Sequence, residues 1–364
     1  MTQRPNTIWL TALTICLGIG VLGAAHLAAA QENPVWTDPN DPTLPADVRI
    51  QGEYAGEDPE GQRLGCQVIA LGSGKFHAVV YPGGLPGDGW DGQNKSLMDG
   101  RMDDQKAVFV PAEGPKQYLA GPPAEFSATR QFPPAGHQPY TAVIEAEKLT
   151  GKTEQGQSFE LTKVHRQSPT LGKEPPESAV VLFDGSDKDA WRGGRLDEQT
   201  GLLNTDGNDI RSRERFQNYS VHLEFMLPYR PYARGQGRGN SGFYQVDHYE
   251  VQILDSFGLE GLHNECGGIY AQQDCLINAC LPPLVWQTFD IDFTNAQRDQ
   301  DGNKTKNAVI TVRLNGIVIH DQLEIQGPTG GHRSEPEGTP GPLKLQGHGN
   351  PLQFRNIWLV PQDG

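Results

Sequence analysis

Two short stretches of this 364-residue chain carry groups able to move protons or bind hydroxyls at strand-like spacing. In HYEVQILDS, His248 to Ser256, the residues Tyr249, Val251 and Ile253 alternate with Glu250 and Gln252. A strand alternates faces with period two, so the carboxylate and the amide share one side. In LKLQGHGNPLQFRNIWLVP, Leu343 to Pro361, Gln346 and His348 share a face in the same way if a strand runs on through Gly347. A carboxylate, an imidazole and two amides can form a polar floor that binds a sugar-like ligand or transfers protons. A solvated outer sheet face accounts for either stretch taken alone.

Glu250 is the first candidate acid or base, because the apolar residues on either side fix its face. His348 lies between two glycines that would let a ligand approach, and its titration range suits acid–base work near neutrality. Its plain alternative is a turn residue. Asp255, just past the strand end, is a third catalytic candidate that could orient a partner or hold a cation; a turn-forming Asp is the plain alternative. Asn240, Gln252 and Gln346 are candidate hydroxyl-binding amides. His263 and Glu265 of GLHNEC could join a metal site, and two ligands alone make a weak one. The run Asp299 to Asn303 lacks the closing Glu of a calcium loop and reads as a hairpin loop. Asp290 and Asp292 share a face in FDIDF, but no third carboxylate follows, which disfavours the acidic cluster of a simple retaining glycosidase.

The elements that must hold these residues are strands. Hydrophobic content is 36%, with 44 Gly and 28 Pro, which suits a turn-rich β protein. YSVHLEFML and WQTFDIDF alternate cleanly, and AVITVRLNGIVIHD carries Asn315-Gly316, the preferred pair for a type I′ hairpin turn. Long antiparallel strands with one apolar face imply a two-sheet sandwich. The net charge of −15 argues against nucleic acid or anionic lipid as a partner.

Composition divides the chain. Residues 1–30 read as a signal peptide: Arg4, an apolar run from Ile8 to Leu22, then Ala28-Ala29-Ala30. The expectation is an exported, periplasmic or extracellular protein with no other spanning segment; an uncleaved N-terminal anchor is the alternative. Residues 31–48 and 167–178 read as linkers, 49–166 as a small β-rich domain of unassigned role, and 179–361 as the larger β domain. Trp90, in the Gly- and Pro-rich run from Pro82, reads as a packing residue with ligand stacking as the alternative. Cys66, Cys266, Cys275 and Cys280 follow the leader. An even count in an exported chain suggests disulfides, with one bridge expected in the later cluster, Cys275–Cys280 or one involving Cys266. A zinc site is disfavoured by the absence of CxxC spacing. None of these patterns speaks to oligomeric state.

FDGSDKDAW, NSGFY, YEVQILDS, GGIYAQ, WQTFDIDF, VRLNGIVIHD, GPLKLQGHGN and FRNIWL occur in the order of the bacterial 3-keto-disaccharide hydrolase domain, and residues 179–361 resemble it. The resemblance implies an all-β concanavalin A-like jelly roll of two antiparallel sheets, preceded here by the smaller β-rich domain. It also implies a carbohydrate-active enzyme whose partner is an oxidised, 3-keto glycoside. A ketone at C3 acidifies the C2 hydrogen; a base removes it, the C1 oxygen leaves with its aglycone, and water adds to the enone. Such chemistry needs a base, a proton donor and a stabiliser of the enolate oxygen. Arg355 is a candidate for the last role, with pairing to a structural carboxylate as its alternative. A divalent metal is left open as cofactor. The competing reading is a non-catalytic carbohydrate-binding jelly roll. The run Pro228 to Gly239 and the cysteine-bearing segment Gln272 to Pro283 depart from the family's plainest form and are expected near the cleft.

Overall fold

Strands with one apolar stripe must bury it, and this chain does so in two ways. In the computed structural model, which describes Met1 and residues 33–362, the earlier strands close on themselves. The expected leader, residues 1–30, lies outside the described residues apart from Met1. Eight antiparallel strands run round a barrel in the order Gly52–Glu57, Ser158–Val164, Lys148–Lys152, Thr141–Glu145, Lys106–Pro111, Ser96–Asp103, Lys75–Pro82 and Arg63–Gly72. Inside, Tyr54, Phe76, Phe109 and Phe159 pack against Ala70, Ala78, Ala107 and Ala142, large residues against small, so the barrel is filled. The strands Arg63–Gly72 and Lys75–Pro82 are buried on their outer face too. There Ile69, Leu71, Val79 and Tyr81 meet Phe126 and Ala128 of the barrel's own long connection and Phe257 and Leu259 of the second half. Burial on both faces explains why CQVIALG reads as an unbroken apolar run.

The second half is an all-β, two-sheet sandwich of the jelly-roll class. The large sheet runs Arg195–Asp197, Leu202–Asn204, Gln353–Pro361, Tyr219–Met226, Trp286–Thr294, Ala308–Leu314 and Ile317–Ile325, with Val180–Phe183 also beside Gln353–Pro361. The small sheet runs Trp191–Arg192, Ile210–Ser212, Lys344–Leu345, Ser241–Gln245 and Tyr249–Ile253. Val221, Leu223 and Phe225 of the large sheet and Phe243, Val251 and Leu345 of the small one share a single core. Period two then sends their alternate neighbours outward on opposite sides of the sandwich. Asn315 (φ 53°) and Gly316 (φ 80°) form the expected tight turn between Ala308–Leu314 and Ile317–Ile325.

The arginines of Pro228–Gly239 divide between barrel and rim. Arg234 Nη2 donates to the Leu71 carbonyl at 3.0 Å, and Arg238 Nη1 donates to the Ala70 carbonyl at 3.3 Å, both on a barrel strand. Arg230 instead donates to Asn350 Oδ1. All four cysteines from Cys66 onward are free, so the expected Cys275–Cys280 or Cys266 bridge is not formed. Cys275 Sγ points at the Cys266 carbonyl at 3.5 Å, and Cys280 Sγ at the Leu281 carbonyl at 3.4 Å. Each thiol serves as a small buried or half-buried packing group.

Candidate active site

The outward face of the small sheet carries one continuous polar row. Cross-strand register aligns Arg192 with Arg211, Arg211 with Lys344, Lys344 with Tyr244, and Tyr244 with Glu250. The neighbouring row, Ile210, Leu345, Phe243 and Val251, points into the core, and that anchors the polar row outward. Side chains directly opposite across strands lie close enough to interact, so register alone brings these groups together.

Glu250 is buried, 2% exposed, with Gln252 beside it on the same face. Tyr244 Oη lies 2.8 Å from Glu250 Oε2 and 2.8 Å from the Gly330 carbonyl oxygen. A phenol has one proton, so it can donate to only one of these acceptors. The phenol donates to the Glu250 carboxylate when Glu250 is ionised, and it is free to donate to Gly330 when Glu250 is protonated. Burial pushes the Glu250 carboxyl up to about 7, against the Tyr244 hydrogen bond and the Lys344 charge, which both pull it down. The carboxyl is therefore set between acid and base near neutral pH.

Lys344 is also buried, 1% exposed, and its ammonium sits 3.5 Å from the centroid of the Tyr244 ring. Lys344 Nζ lies 2.8 Å from Asp247 Oδ1 and donates to the Gly331 carbonyl at 2.6 Å. Arg211 Nε donates to Asp247 Oδ2 at 2.7 Å, and Asp209 faces both cations, 3.4 Å from Arg211 and 3.9 Å from Lys344. Asp247 reaches Lys344 from a strained turn: Val246 (φ 46°) and Asp247 (φ 53°) both occupy the left-handed region between the last two strands. For a β-branched residue that conformation is costly, and it is tolerated where the surroundings over-determine it.

A strap covers the row. Thr329 is pinned to the hairpin, its N–H donating to the His248 carbonyl at 2.9 Å and its Oγ1 accepting the Glu250 N–H at 2.9 Å. The next two residues, Gly330 and Gly331, supply the carbonyl oxygens that cap Tyr244 and Lys344.

The other expected residues fall into two groups. Gln346 joins the site, its Nε2 3.4 Å from Tyr244 Oη. Gln252 donates to Asn240 Oδ1 at 2.8 Å, and Asn240 in turn donates to Gln236 Oε1 at 2.8 Å, so the two amides form a buried file beside Glu250. His348 does not continue a strand with Gln346. The strand ends at Leu345, and Gly347 presses so closely on the backbone of Asn208 that a β-carbon would overlap it. His348 is left on an exposed loop at the rim. Asp255 lies apart from Glu250's partners: its Oδ2 receives Arg238 Nε at 2.9 Å in the seam toward the barrel.

Arg355 points to the other side of the sandwich. Phe354 and Ile357 both enter the core, so the strand bulges between them, with Asn356 at φ 44°. The bulge turns Arg355 and Asn356 outward together onto the large sheet. Arg355 Nε donates to Glu224 Oε2 at 2.7 Å and its guanidinium stacks 3.9 Å over the Trp286 ring. On that face His222 is buried between Asp290 (2.9 Å from Nδ1) and Glu224 (3.5 Å from Nε2). Burial alone would raise the Glu224 carboxyl, but bonds from His222, Asn356, Arg355 and the Gly172 N–H hold it at about 2. The cluster fastens the 167–178 linker: Gly172 N–H reaches Glu224 Oε1 at 2.5 Å, and Thr170 Oγ1 reaches Asp290 Oδ2 at 2.5 Å.

His263 and Glu265 are each committed elsewhere. Glu265 accepts the Gly261 N–H at 2.6 Å, the Leu262 N–H at 3.0 Å and the Tyr118 hydroxyl from the barrel side. His263 Nδ1 accepts the Ala271 N–H at 3.2 Å. Among the described residues no group of three His, Cys, Asp or Glu side chains is arranged to hold a metal ion.

Lys344, Tyr244, Arg211 and Asp247 escape a reading along the sequence, because the paired residues Arg211 and Lys344 are 133 positions apart. The available signal was Lys344 itself, a charged residue two places from Gln346 in an otherwise apolar GPLKL run.

Residues 178–360 match the 3-keto-alpha-glucoside-1,2-lyase-like domain. Among solved structures, a candidate glycosyl hydrolase from Parabacteroides distasonis is 29% identical over 51% of this chain and 85% of its own, with a TM-score of 0.46. A second from the same organism is 20% identical over 51% of this chain and 95% of its own, with a TM-score of 0.37. No curated protein matches the chain.

Proposed function

This chain belongs to the 3-keto-alpha-glucoside-1,2-lyase-like domain family, and from that premise and the Glu250 row we propose that it is a carbohydrate-active enzyme that cleaves 3-keto glycosides. The observation that carries the reading is a buried carboxyl tuned to about 7, in contact with a phenol that itself lies under a buried ammonium. Glu250 in its ionised form takes the C2 proton. The electrons move to the C3 oxygen, where the Lys344 ammonium and the Tyr244 hydroxyl stabilise the enolate. The enolate re-forms the ketone and expels the C1 oxygen, which takes the proton from Glu250. Water then adds at C1 and a proton returns to C2, for net hydrolysis.

Sugar oxygens replace the Gly330 and Gly331 carbonyls as substrate enters, so the strap moves aside to admit it. Gln252, Asn240 and Gln346 hold the ring hydroxyls. His348, on its exposed loop, is assigned the assisting proton transfer at the aglycone. Export rests on residues 1–30; among the described residues no helix is long and apolar enough to cross a membrane. The test is incubation with 3-keto-trehalose or 3-keto-lactose beside the unoxidised disaccharides. Sugar release from the oxidised substrates alone, lost in Glu250→Gln, is expected. Substrate binding without release would favour a carbohydrate-binding protein.

A further inference from the structure

A second polar crevice, sharing no lining residue with the Glu250 row, lies where barrel loops meet a sandwich loop. It has a volume of about 360 Å³ and is lined by Trp90, Gln93 and Lys95, by Arg130 and Gln131 of the barrel's long connection, and by Glu260 of the sandwich. That volume is within the range of small-molecule sites.

Lys95 makes this crevice unusual. The residue is only 8% exposed, yet among the described residues no hydrogen-bond acceptor or ion-pair partner meets its ammonium. Nζ opens to the crevice 4.9 Å from the Trp90 ring centroid, and Glu260 and Glu265 act on it electrostatically without touching it. Buried charges are normally paired, because leaving water without a partner is costly. The nearby carboxylates are already engaged. Glu260 accepts the Arg130 N–H at 3.0 Å and Arg130 Nε at 2.6 Å. Asp274, also on the lining, accepts the His263 N–H at 2.6 Å, and Glu265 is tied to Tyr118 and two backbone N–H groups. The side-chain amides of Gln93 and Gln131 have no partner among the described residues.

We propose that this crevice binds a carboxylate-bearing sugar, a uronate, with its carboxylate on Lys95 and its hydroxyls on Gln93 and Gln131. Glu260 and Glu265 act on Lys95 only through space, so a ligand carboxylate supplies the direct acceptor its ammonium lacks, and ring hydroxyls supply partners for the two amides. Burial lowers the Lys95 ammonium's pKa, with Glu260 and Glu265 opposing, so a bound carboxylate raises it and binding weakens at alkaline pH.

Calorimetry on the full chain with D-glucuronate, D-glucose and acetate tests the site. Glucuronate is expected to bind, with glucose and acetate at least tenfold weaker. Lys95→Met should weaken glucuronate roughly 10- to 100-fold, in line with a lost charged hydrogen bond. Gln131→Ala, at an exposed position, gives an independent variant should Lys95→Met fold poorly, and should weaken binding about threefold. No glucuronate binding by the wild type, binding unchanged in both variants, or acetate binding as tightly as glucuronate would overturn the proposal. Glu250→Gln should leave glucuronate binding intact, so failure here and failure of the catalytic reading are separable.

Discussion

The carboxyl of Glu250 occupies the space that a side chain on Gly242 would need: a β-carbon built there would overlap Oε1. The two residues sit on adjacent antiparallel strands, and the absent side chain is what lets a carboxyl lie flat against the sheet. Gly242→Ala should displace Glu250, cost about 1–3 kcal/mol by overpacking and reduce turnover more than tenfold. Denaturant unfolding and turnover assays check this together; a variant with unchanged turnover would show that the carboxyl's seat is not required.

Glu250 should make stability and activity move in opposite directions with pH. Its carboxyl is raised from 4.5 to about 7 in the fold, so its contribution is fully favourable below pH 4.5 and is lost as pH rises through 7. The gap corresponds to on the order of 3 kcal/mol. Activity needs the ionised form and should rise across the same interval. Glu250→Gln should therefore be more stable than wild type at pH 8 while losing roughly 10²–10⁴-fold in turnover. Thermal unfolding across pH 4–9 and a pH–rate profile measure both.

Tyr244→Phe removes the hydrogen bond that pulls the Glu250 carboxyl down. The rising limb of the pH–rate profile should shift to higher pH, with kcat/KM about tenfold lower at pH 7. A loss of rate with no shift in the limb would separate the phenol from the acid–base group.

The opposite face should govern stability instead. Glu224 is held at about 2, so its contribution is present above pH 4.5 and is lost as pH falls toward 2. Glu224→Gln should cost roughly 3 kcal/mol by leaving His222 and Arg355 without their shared carboxylate. Arg355→Met should destabilise in the same direction. Both should keep kcat within about twofold under conditions where they are folded, as measured by urea unfolding beside turnover.

Much of the architecture was legible along the chain, because period two dictates which side chains a half-buried strand hides. YSVHLEFML, WQTFDIDF and the Asn315-Gly316 hairpin became strands and a turn for that reason. Glu250 and Gln252 shared a face for the same reason. What alternation cannot encode is register between distant strands, which places Lys344 beside Tyr244 and Arg211. It also cannot anticipate a bulge, which sent Arg355 to the far face, nor a strand that stops at Leu345 because Gly347 meets the Asn208 backbone. Nor did alternation close eight of the first ten strands into a barrel, since closure is a property of the whole set.

The proposed cleavage begins with removal of the C2 hydrogen by Glu250. Turnover of a 3-keto glycoside in D₂O, with the product examined by proton NMR, tests it most directly. Elimination followed by hydration predicts deuterium at C2 of the released 3-keto sugar in the wild type and neither release nor exchange in Glu250→Gln. Release of a product that keeps its C2 hydrogen, or equal cleavage of the unoxidised glycoside, would contradict it.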